Sequence, residues 1–173
     1  AWAYVRPHLR TIQHPRRAHC LALHSYQQDL LFVTQGLVRG YYLNDKGEDI
    51  TIRFAAENSY VVHYSALLEG QPSRYAFQCL EPTTLVALPY TVVQNGYAAF
   101  PDLERLGRRI AEQVLIAQQR RIEQFQFGSA EERYLAFVKD HPQLFNRVSL
   151  THLSSYLGIQ RPSLSRIRQR LAR

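Results

Sequence analysis

No run of eighteen uncharged apolar residues occurs anywhere in this chain of 173 residues, so nothing in it is long enough to cross a bilayer as a helix. The opening AWAYVRPHLR lacks the apolar stretch followed by small residues that a secretory signal requires. No membrane partner is implied, and the cytoplasm is the expected location. Cysteine is scarce: Cys20 and Cys79 stand far apart and match neither a disulfide framework nor a Cys-x-x-Cys metal or redox motif. Both are expected as small buried hydrophobes. No cysteine cluster could hold an iron–sulfur centre, and no phosphate-cradling P-loop occurs.

Acid is missing from the end of the chain. After Asp140 there is no Asp or Glu, whereas Arg147, Arg161, Arg166, Arg168, Arg170 and Arg173 all lie there. The formal net charge is +7, so most of the excess sits in this last stretch. Such a footprint belongs to a nucleic-acid-binding module more than to a uniformly basic protein.

What is present is an ordinary globular composition, 46% apolar and 20% charged, with eleven Tyr and eight Phe. From roughly Arg17 to Leu88, LLFVTQG, LVRGYYLN, EDITIRFA, RYAFQCL and TLVALP read as short strands between Gly, Pro, Asn and Asp signals. The clearest hairpin turns at Asn44-Asp45-Lys46-Gly47, between Leu37–Leu43 and Glu48–Phe54. Many short strands at this spacing predict a β-sandwich or jelly roll. The period changes after Pro89, where Tyr90–Phe100 suits a short helix.

Pro101 then opens a long helix to about Phe125, roughly 36 Å at 1.5 Å per residue. Along it Leu103, Leu106, Ile110, Val114, Ala117 and Arg121 recur at spacings of three and four. A narrow stripe on so long a helix predicts pairing with a second copy, a homodimer; packing on the chain's own sandwich is the competing reading. Gly128 ends the helix, and Ser129-Ala-Glu-Glu132 is a capping box that starts another through Asp140. The expected division is therefore 1–100, a β-roll; 101–127, a dimerisation helix; and 128–173, a DNA-binding domain.

In that last domain Leu150, Leu153 and Leu157 fall at i, i+3 and i+7, and Leu164, Ile167 and Leu171 repeat the spacing. Gly158-Ile159-Gln160 between them is short enough for a sharp turn, with Gly158 as a left-handed stop. Two short helices turned inward on a shared core make a helix-turn-helix, from about Ser149 to Ala172. The second starts near Pro162, and its outer face carries Ser163, Arg166, Gln169, Arg170 and Arg173. A guanidinium fork can bind O6 and N7 of guanine together, so double-stranded DNA is the expected partner. Arg166, with Arg161, Ser163 and Ser165, is expected at base edges, because the N-terminal half of such a helix enters the major groove. Arg147, Ser149, Arg168 and Arg170 are expected at phosphates.

GIQRPSLSRIRQRL resembles the recognition segment of Crp/Fnr-type transcription regulators, with Ser165-Arg166 in the place of a Ser-Arg pair that meets the operator half-site. YLGIQRPSLSRIRQRL is also similar to a branch common in Bacteroidetes-like genomes. SAEERYLAFVKDHPQLFNRVSLTHLSSYLG resembles the family's helix before the motif, and LLFVTQGLVRGYYLNDKGEDITIRFAAEN its early β-roll strands. The resemblance covers about Arg17 to Leu171. It implies an α+β fold: a cyclic-nucleotide-binding-like β-roll (jelly-roll-like) sensor, a long dimerisation helix and a C-terminal helix-turn-helix.

Two departures accompany it. Aligned through Glu69-Gly70-Gln71, the family's ribose-holding Gly-Glu pair becomes Val62-His63, and its phosphate-holding Arg-hydroxyl pair becomes Ser73-Arg74. Classical cyclic-AMP binding is not expected at such a set; the alternatives are a sensor of a different, unidentified small-molecule effector and a constitutive DNA binder that has lost sensing. Only Ala172 and Arg173 follow Leu171, so the usual β-wing is expected to be absent or cut short. The competing class is a metal-dependent, cupin-like β-roll enzyme, which needs His-x-His and a nearby carboxylate. The seven histidines, His8, His14, His19, His24, His63, His141 and His152, contain no His-x-His, and His19 and His24 would point to opposite faces of one strand. No metal, no cofactor and no catalytic residue is expected.

Overall fold

A computed structural model describes residues 1–171. Arg173, counted above with the outer face of the last helix, and the wing question beyond Leu171 lie outside the described residues. The chain divides into two compact units, Ala1–Arg108 and from Arg109 onward.

The first unit is built on eight strands: β1 Arg10–His14, β2 His19–Leu21, β3 Asp29–Gln35, β4 Val38–Leu43, β5 Asp49–Ala55, β6 Tyr60–Val61, β7 Ala76–Cys79 and β8 Thr83–Pro89. They form two antiparallel four-stranded sheets, in the orders β1-β8-β3-β6 and β2-β7-β4-β5. Each strand sends alternate residues inward. Leu31 and Val33 face Ala87 and Leu85 across the β3–β8 register, and with Val38, Ala55, Val61, Phe77 and Cys79 they fill the core. The β4–β5 hairpin closes where expected. Asn44 explains why: its side-chain oxygen accepts from the backbone N–H of Lys46 (3.0 Å) and Glu48 (2.9 Å), while Gly47 supplies φ +76°.

The first sixteen residues are ordered, which the strand pattern starting at Arg17 did not foresee. Helix α1, Trp2–Val5, is anchored by Tyr4, whose hydroxyl donates to the Val92 carbonyl (3.2 Å) and whose ring packs on Phe100. Strand β1 adds an edge beside β8, held by a two-pronged Arg10–Asp29 contact at 2.8 and 2.9 Å. His24 lies beyond the end of β2 with φ +61°, so the expectation that it shares a strand with His19 does not hold. A second surprise is Arg39, 1% exposed on β4: its Nε donates to Thr51 Oγ1 (2.8 Å) and its Nη2 pairs with Asp49 (2.8 Å).

Two more helices complete this unit, α2 Tyr64–Glu69 and α3 Tyr90–Ala99. Helix α4, Pro101–Phe127, follows, and its residues fall in both units. Within the first unit Leu103 lies against Gly96 of α3, and a Cβ at Gly107 would collide with the Tyr97 hydroxyl. A glycine inside a long helix usually costs about 1 kcal/mol; at Gly107 it admits the tyrosine. No described helix is long and apolar enough to cross a membrane.

Candidate nucleic-acid interface

The second unit holds α5 Ala130–Asp140, α6 Leu150–Leu157 and α7 Arg161–Leu171. Ser129 caps α5 in the expected box, accepting from Glu132 N–H (3.2 Å) while the Glu132 carboxylate accepts from Ser129 N–H (2.7 Å). Those hydrogen bonds hold the Glu132 carboxyl below its ordinary range. Such caps contribute about 1 kcal/mol. Ser149 caps α6 by accepting from His152 N–H (3.1 Å).

Helix α6 stops at Gly158, whose φ of +62° lets Ile159 N–H reach the Ser154 carbonyl (3.0 Å). A Cβ there would meet Phe125 Cε1 at 2.9 Å. The turn buries Ile159 and sends α7 back over a core of Tyr134, Phe137, Leu144, Leu153, Leu157 and Leu164. Leu164, 0% exposed, anchors α7. Leu150 and Ile167 are only half-buried, and Leu171, expected to face inward, is 44% exposed.

With Leu164 inward, Arg161 and Arg166 stand exposed on α7, and Ser163 and Ser165 are half-buried beside them. Arg166 Nη2 donates to Ser163 Oγ (3.3 Å), holding the guanidinium along the helix. Ser163, Arg166, Ile167 and Arg170 line a shallow open groove. Arg168 is half-buried, its guanidinium over the Phe145 ring at 5.0 Å. Arg147 is half-buried at the approach to α6. Arg170 pairs with Glu131 from the first turn of α5, an acid the sequence reading passed over because it counted only charges after Asp140.

Two arginines outside the motif hold α6 by its C-terminal carbonyls. Arg121 of α4 donates to Tyr156 O (3.0 Å) and lies over the Tyr156 ring at 3.9 Å. Arg133 of α5 donates to Leu157 O (2.9 Å) and Gly128 O (2.7 Å). A helix C-terminus presents unpaired carbonyls and partial negative charge, so guanidinium groups fit there. Burial pushes the Arg121 guanidinium below its ordinary value, yet arginine stays charged. The sequence placed Arg121 in the apolar stripe; its arginine identity at a stripe position was the available signal. His141, nearby, is lowered by burial, with Asp140 raising it and Arg121 lowering it.

No residue of α4 is fully buried, and Arg121 is half-buried. Of the expected pairing stripe, Leu103 and Ile110 are half-buried, while Leu106, Val114 and Ala117 are exposed. Leu115, Ile116, Ile122 and Phe127 are exposed as well, so the apolar surface of α4 is broader than the stripe.

In the first unit the structure brings His63 and Ser73 together, with Val62 half-buried and Arg74 exposed beside them. His63 Nδ1 and Ser73 Oγ are 3.0 Å apart, and the His63 ring packs on Tyr75 with centroids 4.1 Å apart. Ser73 Oγ donates to Tyr75 O (2.7 Å), and His63 N–H donates to Gln27 Oε1 (2.9 Å). Burial, aided by the Arg74 charge and opposed by Glu69, lowers the His63 pKa. His63 and Ser73, one from each aligned pair, thus make internal contacts, and Arg74 is exposed.

No protein-family model matches the chain, and no curated protein matches it. Solved structures do. FixK2 from Bradyrhizobium japonicum is similar at a TM-score of 0.83 and 15% identity, over 95% of this chain and 84% of that one. The c-di-GMP-responsive global regulator CLP of Xanthomonas campestris gives 0.75 and 17%, over 98% and 89%. The catabolite activator protein of Thermus thermophilus gives 0.60 and 17%, over 99% and 84%. At such identities the likeness shows the fold alone: an α+β architecture with a β-roll and a long helix, as the sequence predicts.

Proposed function

We propose that the chain is a sequence-specific DNA-binding transcription regulator of Crp/Fnr type that works as a homodimer. The observation that carries this is α7, anchored by fully buried Leu164 and presenting Arg161 and Arg166 outward from its first half. That is the arrangement a major-groove reader needs. Ser163 and Ser165 complete the base-facing set; Arg147, Ser149, Arg168 and Arg170 flank it as phosphate contacts. The assignment to a Bacteroidetes-like branch rests on the Tyr156–Leu171 segment alone.

In this reading 1–100 is the sensor, 101–127 the pairing helix and 128–173 the reader, in the cytoplasm. The exposed Leu106, Val114 and neighbouring apolar residues of α4 support pairing. Two-fold symmetry then gives a palindromic site with half-sites about 34–36 Å apart. An effector of the β-roll is an anion smaller than cyclic AMP or unlike it, held from Arg74, because His63 and Ser73 are committed to each other.

Selection of bound sites from random duplex DNA tests the whole proposal. The expected outcome is one palindromic motif; recovery of unrelated sequences with no shared motif contradicts it. A thermal-shift screen against cyclic nucleotides and small acids tests the effector, since a ligand of the native state raises the midpoint as its concentration passes Kd.

A further inference from the structure

Leu164 fixes which way α7 faces. It is fully buried, and Ile167 and Arg168 on either side of it are half-buried. At 3.6 residues per turn, the ridge farthest from the core therefore runs through Pro162, Arg166 and Gln169, all three exposed. Pro162 brings no polar side-chain group to that ridge. Beside it, Arg170 pairs with Glu131, Arg168 lies over Phe145 and Ser163 accepts from Arg166. No side-chain hydrogen bond joins Gln169 to another described residue. With Arg161, Arg166, Arg168 and Arg170 on the same helix, charge is already supplied. What a neutral amide adds is a donor and an acceptor side by side.

We propose that Gln169 reads adenine in the major groove, at the base pair next to one read by Arg166. The role rests on α7 being the groove-reading helix. Gln169 stands less than one turn beyond Arg166, and three residues advance a helix by about 4.5 Å, against roughly 3.4 Å between stacked base pairs. Two neighbours on the ridge thus face two neighbouring base pairs. Arg166 leans toward the N-terminal end of α7, its Nη2 donating to Ser163 Oγ (3.3 Å), which leaves the C-terminal side of the ridge to Gln169.

The chemistry of the amide selects the base. Adenine presents the N6–H donor beside the N7 acceptor, so the glutamine carbonyl accepts from the first while its NH2 donates to the second. Guanine presents two acceptors, O6 and N7, and one prong of an amide always meets an acceptor with an acceptor. A guanidinium donates from both prongs and matches guanine instead. Arg166 and Gln169 together distinguish G·C from A·T at successive positions.

The test is selection of bound sites from random duplex DNA by the full chain, by Gln169→Ala and by Gln169→Arg, followed by titration on the selected sites. The wild type is expected to select an A·T pair beside the G·C pair whose preference Arg166→Ala relaxes. Gln169→Ala should lose the preference at that A·T position alone and weaken binding to the wild-type site by about 5- to 100-fold. Its salt slope should match the wild type, since no charge is removed. Gln169→Arg should exchange A·T for G·C there, a gain that a merely structural or phosphate-facing glutamine does not give. Both variants should melt at the wild-type midpoint, because Gln169 is exposed and Ala and Arg are good helix formers. A wild-type motif that neither substitution alters, or a loss in Gln169→Ala that is equal on every sequence, overturns the proposal and leaves α7 as the reader. A wild-type chain that selects no motif removes the reader and this role together.

Discussion

At the scale of single residues, the exposed arginines of α7 divide into two kinds. Arg166 is exposed and donates to Ser163 of its own helix, a partner that its fork can exchange for a base pair. Arg166→Ala should cost roughly 1–3 kcal/mol on the selected site and relax discrimination at one base pair; equal loss on random DNA, measured by titration on both, would remove the base-reading role. Arg170 faces Glu131, and reaching a phosphate requires exchanging that partner. Glu131→Gln should therefore tighten binding to all sequences alike, and Arg170→Ala should weaken all alike and flatten the dependence on salt. If both leave the salt slope unchanged, Arg170 makes no phosphate contact.

Histidine gives a pH dependence with a definite sign. His63 and His141 are both lowered by burial from the ordinary value of about 6.5. Between that value and their folded pKa the unfolded chain binds more protons, so stability is complete above about pH 6.5 and falls as pH drops through the window. Thermal midpoints between about pH 7.5 and 5 should fall for the wild type and flatten for His63→Gln or His141→Gln. A midpoint that rises on acidification would contradict this.

At the scale of elements, the turn between α6 and α7 decides where the reader points. Gly158 combines a left-handed backbone with close approach of Phe125. Gly158→Ala carries the left-handed penalty of about 1–2 kcal/mol and a displaced ring besides. Urea titration should show that loss, and DNA affinity should fall further than stability alone requires, because α7 is re-aimed. Unchanged stability would mean that the turn relaxes freely.

The elements were also the level most legible in the sequence. The Asn44–Gly47 hairpin, the Ser129 box and the Gly158 stop were readable because each rests on local backbone chemistry confined to a few residues. Edge strand β1 and the His24 loop were not, because partners distant in sequence decide them. The same holds for the site. The outward arginines follow from helical period, whereas Glu131 and Arg121 enter through packing of α5 and α4 against the motif. Arg39 shows the limit of patterning, since a charge at a core position reads as a surface residue until Thr51 and Asp49 are brought beside it.

At the scale of the whole molecule, the breadth of apolar surface on α4 is more than one chain covers. Val114→Asp places a charge within it and should convert a dimer to a monomer in sedimentation while weakening operator binding by at least tenfold. A wild-type chain that sediments as a monomer at micromolar concentration would refute pairing.

The grip of Arg121 and Arg133 on the carbonyls of Tyr156 and Leu157 bears on how such a dimer could be switched. Arg121 of α4 and Arg133 of α5 tie both helices to the C-terminal end of α6 by charge-assisted bonds, so in the proposed dimer a twist of α4 would be passed to the element that precedes the reader. Small reorientations of the shafts against each other would then be enough to bring two readers into phase with a groove or throw them out of it.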